Sequence, residues 1–268
     1  MKSIVLIKQV PETGTVKMDS ETGTMIRDGV ASIINPLDLY AIETALLLKE
    51  TRGGTVTVLT MGPPKSEKAL REAIAMGCDD ALLLSDKAFA GADTWATSFV
   101  LSEAIRQKAG DFDLILCGER ATDGDTGQVG PGVASFLDLP IVTYASSIDL
   151  CNAATARVTR LVEGGREVLR LPFPALLTVV KEISFPRLPT LRGKRKARTL
   201  DIIACDAEAL QLQRDRIGLK GSPTRVVRIF SPKIMRECRK VTVDEAAGPG
   251  PALEVLLDFL NKKQGLLP

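Results

Sequence analysis

The sequence contains no histidine, a single tryptophan, and five cysteines that never form a Cys-x-x-Cys pair. Without histidine, the chain lacks the commonest general base and the commonest metal ligand of proteins. An odd number of widely spaced cysteines supports neither a disulfide framework nor a zinc or iron–sulfur site, and it is typical of a reducing cytoplasm. We therefore expect a cytoplasmic protein with no catalytic side chain and no metal site, in which a bound cofactor carries out any chemistry.

A strong excess of one charge and long apolar runs are also missing. The formal net charge is +2 over 268 residues, which gives no broad basic field of the kind that nucleic-acid binders use. No segment approaches the roughly 18 consecutive apolar residues of a membrane span, and the apolar run after Met1 is too short for a signal peptide. The composition therefore favours small-molecule and protein partners, with no nucleic acid and no membrane insertion.

Short apolar runs alternate with helical patterns over the first 145 residues. This alternation predicts an α/β fold with a doubly wound, mostly parallel sheet. The five predicted strands are Ser3–Ile7, Thr55–Met61, Ala81–Ser85, Asp113–Gly118 and Pro140–Tyr144. Asn35 and Asp93 are predicted N-caps of two crossover helices. The other two crossover helices are predicted over Ser66–Met76 and Thr126–Leu137.

The pattern changes after residue 145. A period of two predicts an antiparallel hairpin of Arg157–Val162 and Glu167–Leu171 at the edge of the sheet, followed by a strand at Ala175–Lys181. The next segment, 184–198, is rich in proline and basic residues and has no regular period, so we expect an exposed loop.

The remaining residues predict an extended arm. From residue 206 the chain is polar and is broken by glycine and proline until a final amphipathic helix at Ala252–Lys262. Such a segment buries little surface by itself, so we expect it to pack on a partner subunit. The sequence thus predicts a nucleotide-binding or flavin-binding α/β domain over 1–205, which includes the basic segment, and an arm over 206–268.

The loop between the fourth predicted strand and the fourth predicted helix is the most informative part of the sequence. Four glycines fall within residues 118–131. A loop that leaves a central parallel strand and enters a helix is where open α/β sheets bind ligands, because free N–H groups and the helix dipole favour a phosphate. Gly124 and Gly127 let the backbone approach an anion closely. Thr126 can both cap the helix and donate its hydroxyl.

Alternatives remain open for this loop. Its aspartates, Asp123 and Asp125, either accept hydrogen bonds from ribose or hold a plain connecting loop through Asx-turns, and its glycines match neither the dinucleotide fingerprint nor the Walker loop. Two more predicted strand ends reach the same edge of the sheet, which favours a nucleotide site. A free-standing ATP-binding stress or signalling module would share this crevice. A nucleotide-dependent ligase or hydrolase would need a lysine here, and the loop has only Arg120.

Five segments carry a more specific signal: Lys8–Pro11, Asn35–Glu43, Gly91–Thr94, Asp123–Pro131 and Gly221–Thr224. In this order they resemble the electron transfer flavoprotein β-subunit family over almost the whole chain. The resemblance implies an adenine-nucleotide-binding, flavodoxin-like α/β fold and a heterodimer with a larger α-subunit that holds its own FAD. It also implies docking to an acyl-CoA-dehydrogenase-type flavoprotein.

Within that family, the segment 123–131 is similar to the bifurcating and nitrogen-fixation-related branch, in which alanine is commoner at the position of Gly127. This branch implies FAD in the β-subunit site, and the rest of the family implies structural AMP as the alternative. FAD is longer than AMP by a second phosphate and an isoalloxazine ring, so small residues such as Gly124 suit it better. The resemblance then implies electron bifurcation from NADH to the α-subunit flavin and to ferredoxin.

The resemblance also implies the site residues. They are Ile7, Lys8 and Gln9 at the adenine, Asn35 and Asp38 in the pocket lining, Met61 and Gly62 at the wall, and Asp123, Gly124, Asp125, Thr126, Gly127, Gln128 and Val129 at the ribose and phosphates. For Asn35 and Asp38, a simple capped helix explains the pattern equally well.

In proteins of that family, the segment that corresponds to this basic segment inserts into the dehydrogenase partner. The resemblance implies an apolar anchor at Leu191. The surrounding rim would be Arg192, Lys194, Arg195 and Lys196. A solvated loop is the alternative, and nucleic-acid binding is disfavoured because no aromatic residues are interleaved with the charges.

Overall fold

The computed structural model of the chain describes residues 1–12, 17–18, 25–26, 31–227, 240–242 and 248–263. These residues belong to two units, Met1–Ile229 and Phe230–Pro268. Within the described ranges, no helix combines the length and the apolar character that crossing a membrane requires.

The elements of both units follow in chain order. The strands are β1 (Lys2–Leu6), β2 (Gln9–Pro11), β3 (Lys17–Met18), β4 (Met25–Ile26), β5 (Ser32–Ile34), β6 (Thr55–Met61), β7 (Asp80–Leu84), β8 (Leu114–Gly118), β9 (Ile141–Leu150), β10 (Thr155–Val162), β11 (Gly165–Pro172), β12 (Ala175–Val179) and β13 (Ile203–Cys205). The helices are α1 (Pro36–Arg52), α2 (Glu67–Met76), α3 (Thr94–Ala104), α4 (Val129–Leu137), α5 (Leu191–Thr199) and α6 (Gly250–Lys263).

One large sheet organises the first unit. Its strands lie in the order β11-β10-β9-β12-β8-β1-β6-β7-β13. In this spatial order, the strands from β9 across to β13 run parallel to one another, and β10 and β11 extend the sheet beyond β9 in antiparallel fashion. The predicted α/β fold with antiparallel edge strands is therefore confirmed. The chain leaves β1 for β6 on one side and later returns to β8 on the other, so the strand order reverses between β1 and β8.

Helices cover both faces of this sheet. The core on one face includes Ile42 of α1 and Leu70 of α2. The core on the other face includes Val100 of α3 and Val133 of α4. Because both faces are covered, every residue of β8 and β12 is buried. Burial of each leucine or isoleucine side chain stabilises the fold by about 1.5–3 kcal/mol. These central strands therefore form a stable support for the loops that follow them.

One predicted helix start and one predicted capping bond differ from the structure. Helix α4 begins at Val129, three residues after Thr126, so Thr126 does not cap it. The cause is the left-handed backbone at Asp125 and Gly127, with φ of 55° and 63°, which is incompatible with an α-helix. Asn35 does precede α1, but its side chain makes no capping hydrogen bond. Asp93 caps α3 as predicted, because its carboxylate accepts a hydrogen bond from Ala96 N–H.

The basic segment is not a loop throughout, because Leu191–Thr199 forms α5. Thr190 caps this helix by accepting a hydrogen bond from Gly193 N–H at 2.9 Å. The helix also packs on α2, where Thr190 N–H donates to the carbonyl oxygen of Ala75 at 3.2 Å. Because α2 is distant in sequence, the local periodicity of residues 191–199 does not reveal the contacts that stabilise α5.

The first unit also extends beyond the expected boundary at residue 205. Ala207, Leu210 and Ile217 are buried in the core that lies between the sheet and α3. Turns at 206–220 therefore belong to this unit. In the second unit, α6 carries exposed apolar side chains at Leu253, Leu256, Leu257, Phe259 and Leu260.

Candidate nucleotide-binding site

The loops that follow β1 and β8 meet at the point where the strand order reverses. Asp38, in the first turn of α1, joins them: its carboxylate accepts hydrogen bonds from Lys8 N–H at 2.8 Å and from Gly118 N–H at 3.0 Å. One buried side chain thus fixes the two strand ends against the start of α1. In open α/β sheets this edge is where ligands bind.

Asn35 strengthens the same junction. Its side-chain amide donates to the carbonyl oxygen of Arg120 at 2.9 Å and accepts from Thr122 N–H at 3.1 Å. Its own N–H donates to the carbonyl oxygen of Lys8 at 2.8 Å. Asn35 and Asp38 therefore hold the loops after β1 and β8 together, which is more than a simple helix cap explains.

The environment of Asp38 changes its acidity. The carboxyl group is fully enclosed, and burial raises its pKa from 3.8 to about 7, although the hydrogen bonds from Lys8, Asn35 and Gly118 oppose the shift. Desolvation disfavours the charged form, whereas N–H donors favour it. Here burial has the larger effect, so a group that positions both loops titrates near neutral pH.

The loop between β8 and α4 offers a row of free amides. None of the N–H groups of residues 126–129 donates a hydrogen bond to another described residue. Residues 122–126 are exposed, and a Cβ added at Gly124 would meet no atom within 4 Å. Free amides at a helix N-terminus favour an anion because the helix dipole adds to their partial charges. Residues 122–129 are called the cradle below.

Close packing fixes the direction of α4 behind the cradle. A Cβ added at Gly130 would lie 2.8 Å from both Cys117 Sγ and Thr178 Cγ2. Only glycine lets the first turn of α4 come this close to β8 and β12. The buried thiol of Cys117 is a packing group here, and burial raises its pKa.

The charged side chains of the site pair across the crevice. Lys8 Nζ lies 2.7 Å from Asp123 Oδ1, which joins the loop after β1 to the loop after β8. Arg120 Nε lies 2.9 Å from Asp125 Oδ1. Both pairs are partly exposed, so each contributes little to stability and can rearrange around a ligand.

The predicted adenine contacts are more constrained. Ile7 N–H donates to the carbonyl oxygen of Leu59 at 3.0 Å, and Thr60 Oγ1 donates to the carbonyl oxygen of Ile7 at 2.7 Å. The N–H of Lys8 is already bound to Asp38. Of the backbone groups at Ile7 and Lys8, only second carbonyl lone pairs therefore remain available to a ligand.

Hydrogen bonds between protein groups also hold the side of the crevice near the end of β6. Gln9 donates to the carbonyl oxygen of Lys65 and accepts from Ser66 Oγ, both at 3.3 Å. Met61 ends β6, and the N–H of Gly62 donates to the carbonyl oxygen of Leu84 at 2.9 Å. These residues form a wall beside the loop after β1.

Two segments that sequence reasoning noted only for their resemblance come together at the mouth of the cradle. Thr94 Oγ1 donates to Gln128 Oε1 at 2.9 Å. Its neighbour Asp93 accepts from the N–H and the hydroxyl of Thr224, at 2.9 and 2.8 Å, and its N–H donates to Ser222 Oγ at 2.8 Å. Thr94 thus supports Gln128, and contacts between positions 129 or more residues apart hold the neighbouring Asp93, which no local signal predicts.

The basic segment lies apart from the cradle and is strongly anchored to α1. Arg187 forms a two-pronged ion pair with Glu43, at 2.8 Å for both Nε and Nη2, and it also pairs with Glu50. Both carboxylates raise the pKa of Arg187. Beside this anchor, Phe185, Leu188 and Leu191 are 94%, 85% and 83% exposed. Sequence reasoning identified Leu191 and missed Phe185.

The basic residues of α5 divide into two roles. Leu191, Arg192, Arg195, Lys196 and Thr199 line a hollow of about 770 Å³. Lys196 also holds the helix in place, because its Nζ donates to the carbonyl oxygen of Cys78 at 3.0 Å. The hollow therefore combines an exposed leucine with a fixed positive rim.

An open α/β sheet with free amides at its switch point is the architecture of nucleotide-binding α/β proteins. Comparison with known proteins is more specific. Residues 22–210 match the electron transfer flavoprotein domain. The chain belongs to the electron transfer flavoprotein β-subunit family, as its sequence motifs predicted.

Curated relatives cover nearly the whole chain. The electron transfer flavoprotein subunit beta of Thermoanaerobacterium thermosaccharolyticum is 46% identical over 88% of this chain and 90% of its own length. The caffeyl-CoA reductase-Etf complex subunit CarD of Acetobacterium woodii is 46% identical over 92% and 95%. Protein FixA of Azotobacter vinelandii is 45% identical over 87% and 85%.

Proposed function

We propose that this chain is the β-subunit of a bifurcating electron transfer flavoprotein and that it binds FAD in the crevice between β1 and β8. The observation that carries the proposal is the row of free N–H groups at residues 126–129, which lies at the switch point of the sheet. A diphosphate has the charge and the acceptor atoms to satisfy such a row.

The residues present fit FAD better than AMP. The cradle is open beyond its first amides, since residues 122–126 are exposed and no atom lies near a Cβ at Gly124. An open end leaves room for a second phosphate, whereas a site for AMP needs room for only one phosphate. Similarity to CarD and FixA points in the same direction, as a family analogy.

The side chains of the site have holding roles. Asp123 and Asp125 can exchange their lysine and arginine partners for ribose hydroxyls, while Lys8 and Arg120 become available to phosphate oxygens. Asn35 and Asp38 keep both loops in register. When bound, FAD would supply the redox chemistry, taking electrons from NADH and passing them to the α-subunit flavin and to ferredoxin.

Two exposed apolar surfaces support the proposed partners. The apolar side of α6, which includes Leu253 and Leu256, is exposed, and we assign it to the α-subunit of a heterodimer. Leu191 and the basic rim of α5 are assigned to an acyl-CoA-dehydrogenase-type flavoprotein, with Phe185 and Leu188 as further anchors. Large apolar side chains surrounded by charge are typical of such docking sites.

The test is to count the nucleotides in the purified heterodimer. The chain is co-expressed with its α-subunit, the complex is denatured, and the released FAD and AMP are quantified by chromatography. We expect two FAD and no AMP per heterodimer. One FAD and one AMP would instead support the non-bifurcating alternative.

Counting the nucleotides in a variant of the loop tests whether one of them is bound at the cradle. Gly127→Val adds bulk where a Cβ would lie 3.3 Å from the carbonyl oxygen of Glu119 and where the backbone is left-handed, so we expect loss of one nucleotide. Gly165→Val, at the start of β11 with no atom within 4 Å of its Cβ, is the matched control. If Gly127→Val retains both nucleotides, the cradle is not the site.

A further inference from the structure

Tyr144 has a backbone conformation that its side chain disfavours. Its φ is 57°, and a bulky residue in the left-handed region is a conformational outlier. Such strain costs about 1–3 kcal/mol and clusters at ligand clamps and active sites. The protein maintains this conformation inside β9, so the position of the ring needs an explanation.

A β-bulge holds the residue. Val142 pairs with Leu177 and Ala145 pairs with Val179, so β9 advances by three residues while β12 advances by two. The extra residue breaks the ladder, and Tyr144 N–H donates instead to Thr178 Oγ1 at 3.0 Å. Bulges next to functional sites redirect side chains. Thr178 is buried, so this hydrogen bond is a built feature of the core.

The bulge directs the ring toward the cradle. The phenolic oxygen lies 4.0 Å from the point where a Cβ on Gly127 would stand. The residue is 41% exposed. Its hydroxyl donates no hydrogen bond to the described part of the chain. A free hydroxyl therefore borders the same amides that are free at residues 126–129.

We infer that Tyr144 is a positioning residue of the nucleotide site, whose hydroxyl donates a hydrogen bond to a phosphate oxygen held in the cradle. The inference rests on the proposed function and adds a residue to it. The amides approach the phosphate from the α4 side, and the phenol completes its coordination from the β9 side. Gly127 leaves the space between ring and loop open, which a larger residue would fill.

The test compares AMP with adenosine on the full chain after bound nucleotide has been removed. Tyr144→Phe keeps the ring and removes only the hydroxyl. We expect its Kd for AMP to rise about 10- to 100-fold, the effect of losing a hydrogen bond to a charged group. Its Kd for adenosine should not change, because adenosine has no phosphate. Tyr40→Phe, at the other tyrosine of the chain, is the matched control and should bind AMP like the wild type.

A second measurement separates positioning from packing. Asparagine tolerates the left-handed region, so Tyr144→Asn should raise the melting temperature of the ligand-free protein by about 2–4 °C while weakening AMP binding. Equal affinity of Tyr144→Phe and wild type for AMP, equal losses for AMP and adenosine, or a lower melting temperature of Tyr144→Asn would each overturn the inference. Wild type that binds neither AMP nor FAD would instead refute the proposed function itself.

Discussion

Replacing Gly193 by alanine tests whether the packing of α5 on α2 is required. An added Cβ would stand 2.0 Å from the carbonyl oxygen of Ala75 and 2.8 Å from its carbonyl carbon. A carbon and an oxygen normally approach to about 3.3 Å, so α5 has to move by roughly 1.3 Å. That movement breaks the hydrogen bond from Thr190 N–H to the same oxygen.

The sign of the effect distinguishes this contact from ordinary helix propensity. In an exposed helix, Gly→Ala stabilises by about 1 kcal/mol. Here the overlap costs about 1–3 kcal/mol and removes a hydrogen bond worth about 1 kcal/mol, so we expect net destabilisation of about 1–3 kcal/mol and a melting temperature lower by about 2–12 °C. The displaced helix should also bind the proposed dehydrogenase partner more weakly.

Differential scanning calorimetry and partner titration measure the two effects. Gly165→Ala is the control, because its Cβ would meet nothing within 4 Å and its φ is not left-handed. Nucleotide content should be unchanged in both variants, since the cradle lies elsewhere. A Gly193→Ala protein that melts at or above the wild-type temperature would refute the packing of α5 on α2.

The remaining predictions concern buried charge. The pKa of Asp38 is raised to about 7, so its contribution to stability is present below pH 4 and is lost as the pH rises through 7. Urea unfolding from pH 5 to 8 should therefore show wild type losing up to about 1.4 kcal/mol per pH unit relative to Asp38→Asn, and parallel pH profiles would contradict this. Arg187→Ala leaves the buried Glu43 unpaired, which should cost about 2–3 kcal/mol, slightly less than a fully buried pair because Arg187 is partly exposed. The exposed pair of Arg157 and Asp149 is the control; Arg157→Ala should cost under about 1 kcal/mol, and similar losses for the two variants would exclude a special role for Arg187.

The strands and the site region were predictable because their signals are local. The apolar runs of β1, β6 and β8 predicted the positions of these strands within a few residues. Parallel strands with crossover helices then bring the loops after β1 and β8 to one edge. The hairpin of β10 and β11 followed from its period of two.

The features that escaped prediction depend on contacts between distant segments. Helix α5 depends on α2, and the bulge at Tyr144 depends on Thr178 of β12. The start of α4 moved because Gly127 and Asp125 adopt left-handed conformations that sequence alone leaves undetermined. The two hydrogen bonds of Asp38 reach residues 30 and 80 positions away in the sequence. The residues around Asp38 therefore indicate only the start of a helix.

The same long-range bonds bear on synthesis at the ribosome. The crevice needs Gly118 and Thr122 to reach Asp38 and Asn35, so a nascent chain that has released only β1, α1 and β6 does not contain the proposed nucleotide site. At about 5–20 residues per second, the interval between α1 and the loop after β8 lasts several seconds. During that interval Asp38, whose carboxyl group the complete fold encloses, has no partner in β8. On the proposed function, nucleotide capture is thus confined to chains whose central strands have already assembled.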